Sequence, residues 1–242
     1  MDSIQIDAVR ERLSEAKKIV VLTGAGISAE SGVPTFRGAD GLWKNFRAEE
    51  LATPEAFSKD PKLIWEWYSW RRDIISKVKP NPAHLALAEL EEKSGDFALV
   101  TQNVDGLHGL AGSKNIYELH GNIWRTRCLE CSTVVETRSL PESGLPHCNR
   151  EGCKGLLRPD IVWFGESLPM EVVTGAFQAV DEADFMFVIG TSSVVQPAAS
   201  LSSRAKSNGA YVVEINPEKT PISDMVDASF QTKAGDTLPK LI

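Results

Sequence analysis

Four groups of residues in this chain of 242 could do chemistry by their type and spacing. All four cysteines fall in two close pairs, Cys128 with Cys131 and Cys148 with Cys153. Two such pairs offer four thiolates in the tetrahedral arrangement that holds zinc, with Zn–S near ~2.3 Å. A closed shell of thiolates leaves no position for a reacting water, so the expected site is structural and not catalytic. Two disulfides, or free buried thiols, are the other arrangements, and the paired spacing favours metal. The segment carries little apolar core of its own, so metal binding would supply its folding energy. His147 lies among the cysteines, but the thiols already suffice for the shell.

The second group is a glycine-rich turn. Ile19 to Thr23 is a β-branched apolar run that leads straight into Gly24-Ala25-Gly26-Ile27-Ser28. Glycine lets a strand turn tightly into a helix and lets a pyrophosphate approach the backbone, while the helix start offers free N–H groups. The next glycine, Gly32, comes later than in the usual dinucleotide fingerprint, and a tight turn with no ligand has the same signature. Further on, Phe36 and Arg37 sit in a loop bounded by Pro34 and Gly38. Arg37 suits a phosphate and Phe36 a ring, although an ordinary surface loop reads the same way.

The third group, Gln102-Asn103-Val104-Asp105, follows the apolar run Phe97 to Thr101. Polar residues at the C-terminal end of a buried strand lie where parallel α/β sheets bind ligands, and they also make helix caps and Asx-turns. The fourth is His120, between Leu119 and Gly121. Imidazole exchanges a proton near neutral pH and suits a general base, whereas a lone histidine is more often a hydrogen-bonded structural residue. His84 and His108 lie in helix-like segments and receive no role. Elsewhere, Gly190-Thr191-Ser192 and Asn216-Pro217-Glu218 are small or polar turns after strand-like runs. Tyr68 and Arg71 are three apart, on one face of a Trp-rich helix. A phenol and a guanidinium together suit a carboxylate, but position alone favours a core tyrosine beside a solvated Arg71, like its neighbour Arg72.

The stretch Gly24 to Gly38 resembles the sirtuin signature almost letter for letter. So do Thr101-Gln102-Asn103-Val104-Asp105 and Leu119-His120-Gly121, in the family's order, and matches continue to Asn216, over nearly the whole chain. The resemblance implies an NAD-dependent protein-lysine deacylase in which NAD is consumed and is not a hydride carrier. Gly24, Ala25, Gly26, Ile27, Ser28, Phe36, Arg37, Val104, Gly190, Thr191, Ser192, Asn216, Pro217 and Glu218 would contact NAD. Gln102 would meet ribose, Asn103 and Asp105 would line the pocket for nicotinamide and the adjoining ribose, and Ala234 would touch the adenine side. The acyl oxygen would attack C1′ of the nicotinamide ribose, and His120 would then act as general base on a ribose hydroxyl. The products would be free lysine, nicotinamide and O-acyl-ADP-ribose. Val162, Trp163 and Phe164 would form the edge on which an acyl-lysine protein or peptide adds as a strand. The family's zinc module agrees with the cysteine reading. The subgroup with acidic-acyl preference has Tyr-x-x-Arg on this helix and a small residue in a Leu-Ala-Thr-Pro segment. Ala52, Tyr68 and Arg71 match it, which implies removal of succinyl or malonyl groups, with acetyl still accepted. An ADP-ribosyltransferase and a non-catalytic binding module are the other classes left open.

The elements that must position these groups alternate. Helices are expected over Ala8–Lys17, Pro61–Val78, Glu171–Glu182 and Pro197–Asn208. Another should start at the cap Asn81-Pro82 and stop at Gly95. Strands are expected at Ile19–Thr23, Phe97–Thr101, Phe185–Ile189 and Tyr211–Ile215. Strands alternating with helices imply an α/β fold, a Rossmann-like parallel sheet covered on both faces. Residues 45–79, helical and without strands, and residues 125–158, with the cysteines, break the rhythm. They are expected to form a smaller domain from a helical and a zinc module, beside a main part of residues 1–44, 80–124 and 159–242. The formal net charge of −7, without a long basic run, argues against direct nucleic-acid binding. No apolar run approaches the ~20 residues that span a bilayer, and residues 1–12 lack the apolar core of a secretory signal. The cytoplasm is the expected compartment, where thiols stay reduced and available to metal.

Overall fold

Helix α1 (Ser3–Glu15) and strand β1 (Lys18–Thr23) run into the short helix α2 (Ala25–Ala29). A two-residue pair, β2 (Leu42–Trp43) and β3 (Phe46–Arg47), precedes helices α3 (Ala48–Leu51), α4 (Pro54–Lys59) and α5 (Pro61–Ser76). Helix α6 (Pro82–Lys93), β4 (Asp96–Thr101), α7 (Leu107–Ala111) and β5 (Ile116–Glu118) follow. Then come β6 (Gly121–Cys128), β7 (Val134–Glu136) and β8 (Leu157–Ile161). The chain closes with α8 (Met170–Asp181), β9 (Phe185–Ile189), α9 (Ala198–Ser207), β10 (Tyr211–Ile215), β11 (Ala228–Phe230) and α10 (Ala234–Thr237). The structure is a computed structural model and describes residues 3–35, 42–43, 46–138 and 144–242. Phe36 and Arg37 lie outside the described residues.

The large sheet has the order β11-β10-β9-β1-β4-β5 with all neighbours parallel. From the central β1 the chain goes outward to β4 and β5, then returns to β9 on the other side and goes outward to β10 and β11. This is the Rossmann-like order, and the reversal puts a crevice at the C-terminal ends of β1 and β9. The central strands are continuous apolar runs because both faces are covered. Ile19, Val21, Phe185, Phe187, Val213 and Ile215 face one core with residues of α1, α6 and α10. Val20, Leu22, Met186, Val188 and Val212 face the other, with residues of α8 and α9.

The smaller domain has an antiparallel sheet, order β7-β6-β8, and the helices α3 to α5. Its core joins Trp65, Trp67 and Tyr68 of α5 to Ile123 and Trp124 of β6 and to Trp163. The sheet begins at Gly121 and ends at Ile161, so it runs past the cysteine segment at both ends.

Several expectations are corrected. The first helix spans Ser3–Glu15, not Ala8–Lys17. Ile6 already packs on the core, which extends the apolar stripe upstream, and the Asp184 carboxylate takes the Lys17 and Lys18 N–H groups, which ends the helix. Asn81 does cap α6, accepting from the Ala83 and His84 N–H groups, with Pro82 as first residue. Gly95 is not its stop: the helix ends at Lys93, where Ser94 turns extended with φ −91°. Residues 45–79 do contain a strand, β3, paired antiparallel with β2. Arg72 is not solvated. It is 0 % exposed and donates to the carbonyls of Ile123 (2.6 Å) and Arg125 (3.4 Å), near the rings of Trp65 and Trp124. Burial pulls its pKa down to about 10.

Candidate active site

The glycine turn leaves β1 at the crevice and is hydrogen-bonded to the tip of β9. Gly24 N–H donates to Ile189 O (3.0 Å) and Gly26 N–H to Gly190 O (2.8 Å). A Cβ on Gly26 would lie 2.7 Å from Gly190 Cα, and one on Gly190, at φ +59°, would lie 2.4 Å from Ile27 N. Both positions exclude any side chain, so the two turns touch backbone to backbone. Helix α2 has only five residues, so the turn offers a close backbone more than a long helix dipole.

The tips of β4, β9 and β10 are tied together at Thr191. Gln102 Nε2 donates to its Oγ1 (2.9 Å) and Asn216 Nδ2 to its carbonyl (2.8 Å). Pro217 and Glu218 lie exposed beyond. Asn103 is buried beside β1, with Nδ2 donating to Gly24 O (3.1 Å) and Ser28 Oγ (3.0 Å). Asp105 is buried too. Burial raises its carboxyl above the usual carboxylate range, and the Leu107 N–H, the Ser28 hydroxyl and the Arg71 charge pull it back. The structure therefore brings Gly24, Ser28, Asn103 and Asp105 together. Ala234 differs: its side chain packs in the core beside α6 while the next amide, Gly235 N–H, binds Glu30.

His120 follows β5 and is half-buried. Its Nδ1 lies 2.9 Å from Gln102 O. A carbonyl only accepts, so Nδ1 carries the proton and Nε2 carries the lone pair. Burial lowers its pKa, against the Gln102 contact, so the ring is neutral at pH 7. The Gln102 carbonyl ties His120 to the start of the polar run that carries Asn103 and Asp105.

His84 and His108, given no role by the sequence reading, lie beneath this crevice with ring centres 4.8 Å apart. His84 Nδ1 accepts from Asn81 N–H (3.4 Å) and its Nε2 is 3.5 Å from Ser28 Oγ. His108 Nε2 is 2.9 Å from Thr23 Oγ1. The available signal was the position of His84 three residues after the cap Asn81, where its ring reaches back into the turn.

On the small-domain side, Phe164 is 55 % exposed, Val162 half-buried and Trp163 buried. No strand forms over these residues. Val162 N–H donates to His120 O (3.0 Å) and Phe164 N–H to Ala52 O (2.9 Å). Trp163 turns inward, its Nε1–H donating to the hydroxyl of buried Tyr68 (2.8 Å). Arg71 is half-buried, with its guanidinium carbon 5.9 Å from the Tyr68 ring centre and 5.2 Å from that of Trp67. Burial lowers the Arg71 pKa, against the pull of Tyr68 and Asp105. Burial raises the Tyr68 phenol, so it keeps its proton at neutral pH.

The four cysteines form one cluster with no disulfide, their sulfurs all within 4.8 Å of one another. Cys128 to Cys153 is 3.6 Å and Cys131 to Cys148 is 3.7 Å. Those spacings exceed an S–S bond and match the edge of about 3.8 Å that a tetrahedron with Zn–S of ~2.3 Å requires. The donor set suits one structural zinc. His147 stays exposed outside the cluster, bonded to Leu145 O.

A profile of the Sir2 family matches residues 24–197. A relative from Aquifex aeolicus (strain VF5), named NAD-dependent protein deacylase, is 56% identical over 229 residues, 94% of this chain and 95% of the relative. One with the same name from Pyrococcus furiosus is 52% identical over 97% of this chain and 95% of the relative. Among solved structures, a Sir2 homolog–NAD complex superposes with a TM-score of 0.92 at 48% identity, covering 97% of this chain and 91% of that one. A Sir2–p53 peptide–NAD+ structure gives 0.86 at 34% identity, covering 98% and 96%. A crevice at the β1/β9 reversal, a glycine turn packed on β9 and a four-thiol cluster in a smaller domain accompany these matches across almost the whole length, and the chain belongs to the Sir2 family, the sirtuins.

Proposed function

We propose that the chain is an NAD-dependent protein-lysine deacylase that prefers acidic acyl groups, succinyl or malonyl, while still accepting acetyl. The observation that carries the reaction class is His120: a neutral ring with its proton on Nδ1 and a lone pair on Nε2, tied through the Gln102 carbonyl to the polar run of Asn103 and Asp105. NAD, as co-substrate, supplies the ribose carbon from which nicotinamide leaves and the ADP-ribose that accepts the acyl group. His120 Nε2 takes the proton of a ribose hydroxyl. Asn103 and Asp105 hold the nicotinamide end, fixed by Gly24, Ser28 and Leu107. Gly24 to Ser28, Gln102 to Asp105, Gly190 to Ser192, Asn216 to Glu218 and Ala234 form the NAD site, to which Phe36 and Arg37 are assigned by sequence alone. Among the described residues no helix is long and apolar enough to cross a membrane.

The acidic-acyl preference is supported by Tyr68 and Arg71 meeting on one face of α5, both as donors. The Phe164–Ala52 hydrogen bond supports a role for Ala52 beside the proposed substrate edge of Val162, Trp163 and Phe164, where its small side chain leaves room for a longer acyl chain. The test is mass spectrometry of succinyl- and acetyl-lysine peptides with and without NAD. Faster NAD-dependent loss of succinyl is expected. Loss of acetyl alone keeps the deacylase and removes the acidic-acyl pocket.

A further inference from the structure

The side chain of Trp163 does not face the proposed substrate edge on which its backbone lies. It is 2 % exposed, and its indole N–H ends on the Tyr68 hydroxyl at 2.8 Å. Indole nitrogen only donates, so Tyr68 Oη is the acceptor in this bond. A phenol oxygen that accepts on one side has its own O–H directed to the other. Among the described residues this hydroxyl makes no second hydrogen bond. Because burial raises the Tyr68 pKa, the phenol keeps the proton it has to offer.

Trp163 is itself held from three sides. The Arg158 guanidinium carbon lies 3.5 Å from its ring centre, a close cation–π contact. Arg158 also forms a two-pronged pair with Glu166, and one Glu166 oxygen accepts the Trp163 backbone N–H at 2.8 Å. The Phe57 ring packs at 5.2 Å. The indole is thus fixed in place and orientation, and through it the phenol.

We infer that Trp163 is a positioning residue for acyl selectivity: by filling the acceptor side of Tyr68, it turns that hydroxyl into a dedicated donor for the carboxylate of an acidic acyl-lysine. Acetyl-lysine has no such carboxylate and gains nothing from the arrangement. The inference rests on the acidic-acyl reading of Tyr68 and Arg71 and adds to it the residue that sets the direction of the phenol.

The test is Trp163→Phe, which keeps a ring and deletes the N–H donor. It is read as the ratio of kcat/KM for succinyl- and acetyl-lysine versions of one peptide, in the wild-type and Tyr68→Phe backgrounds. In the wild-type background the ratio should fall about five- to tenfold, mainly through a higher KM for the succinyl peptide. In Tyr68→Phe the same substitution should leave the ratio unmoved, because the oriented hydroxyl is already gone. A merely structural role would lower both substrates together and keep the ratio. If the wild type prefers succinyl and Trp163→Phe keeps that preference, or if the two substitutions add, the inference is overturned while the acidic-acyl reading stands. If the wild type shows no preference, both fall. Should Trp163→Phe not fold, Glu166→Ala removes the clamp on the Trp163 amide and on Arg158. It should lower the same ratio, and an unchanged ratio overturns the inference.

Discussion

His120 Nδ1 and the Gln102 carbonyl oxygen lie 2.9 Å apart, and this one contact decides which imidazole nitrogen is free to take a proton. Burial lowers the His120 pKa from 6.5 and raises that of Asp105 from 3.8. The acid limb of the rate should therefore have its midpoint below pH 6.5. The buried His84, pulled down to about 4, and His108 are also held neutral. Their contribution to stability is present above the unfolded histidine value and is lost as pH falls below it. The pH–rate profile should therefore be read where circular dichroism is constant. A midpoint at or above 6.5 in that range would contradict the assignment.

Gly190 is where two backbones meet. Gly190→Ala places a Cβ 2.4 Å from Ile27 N at a φ of +59°. The β1 turn would have to move off β9, and NAD binding should weaken at least about tenfold by isothermal titration. Unchanged affinity would remove the glycine turn from the NAD site.

The cysteine cluster should hold one zinc per chain by elemental analysis. Stripping it with a strong chelator should unfold the segment between β6 and β8 and lower Tm, because metal binding is its folding energy. Cys148→Ala should do the same. A metal-free protein of unchanged Tm would contradict the site.

Arg72 staples α5 to β6 through two carbonyls. Arg72→Met keeps the apolar stem and strands those acceptors, and should cost about 2–4 kcal/mol in urea unfolding. A loss under about 0.5 kcal/mol would mean the carbonyls find other partners.

The central strands were legible because a parallel sheet buried on both faces writes itself as unbroken apolar runs. Ile19 to Leu22 and Phe185 to Ile189 show this. The cysteine pairs and the cap at Asn81 were legible because each rests on fixed local spacing. Arg72 was not, since helical spacing cannot tell a solvated guanidinium from one buried against carbonyls fifty residues away. Trp163 was read as part of an edge, while its indole is committed to a residue of α5 far off in sequence. The His84–His108 contact likewise exists only once α6 and α7 pack together. Local patterns foretold elements, and partners from distant segments did not show in them.

The most direct test of the central claim is product accounting by mass spectrometry with one succinyl-lysine peptide, NAD and purified protein. The account predicts equal amounts of nicotinamide, unmodified lysine peptide and O-succinyl-ADP-ribose; His120→Ala, whose melting curve should match wild type, should give neither of the last two and no nicotinamide beyond one equivalent per enzyme. Nicotinamide release with the acyl group still on the peptide, and ADP-ribose mass added to protein, would contradict it and make the chain an ADP-ribosyltransferase.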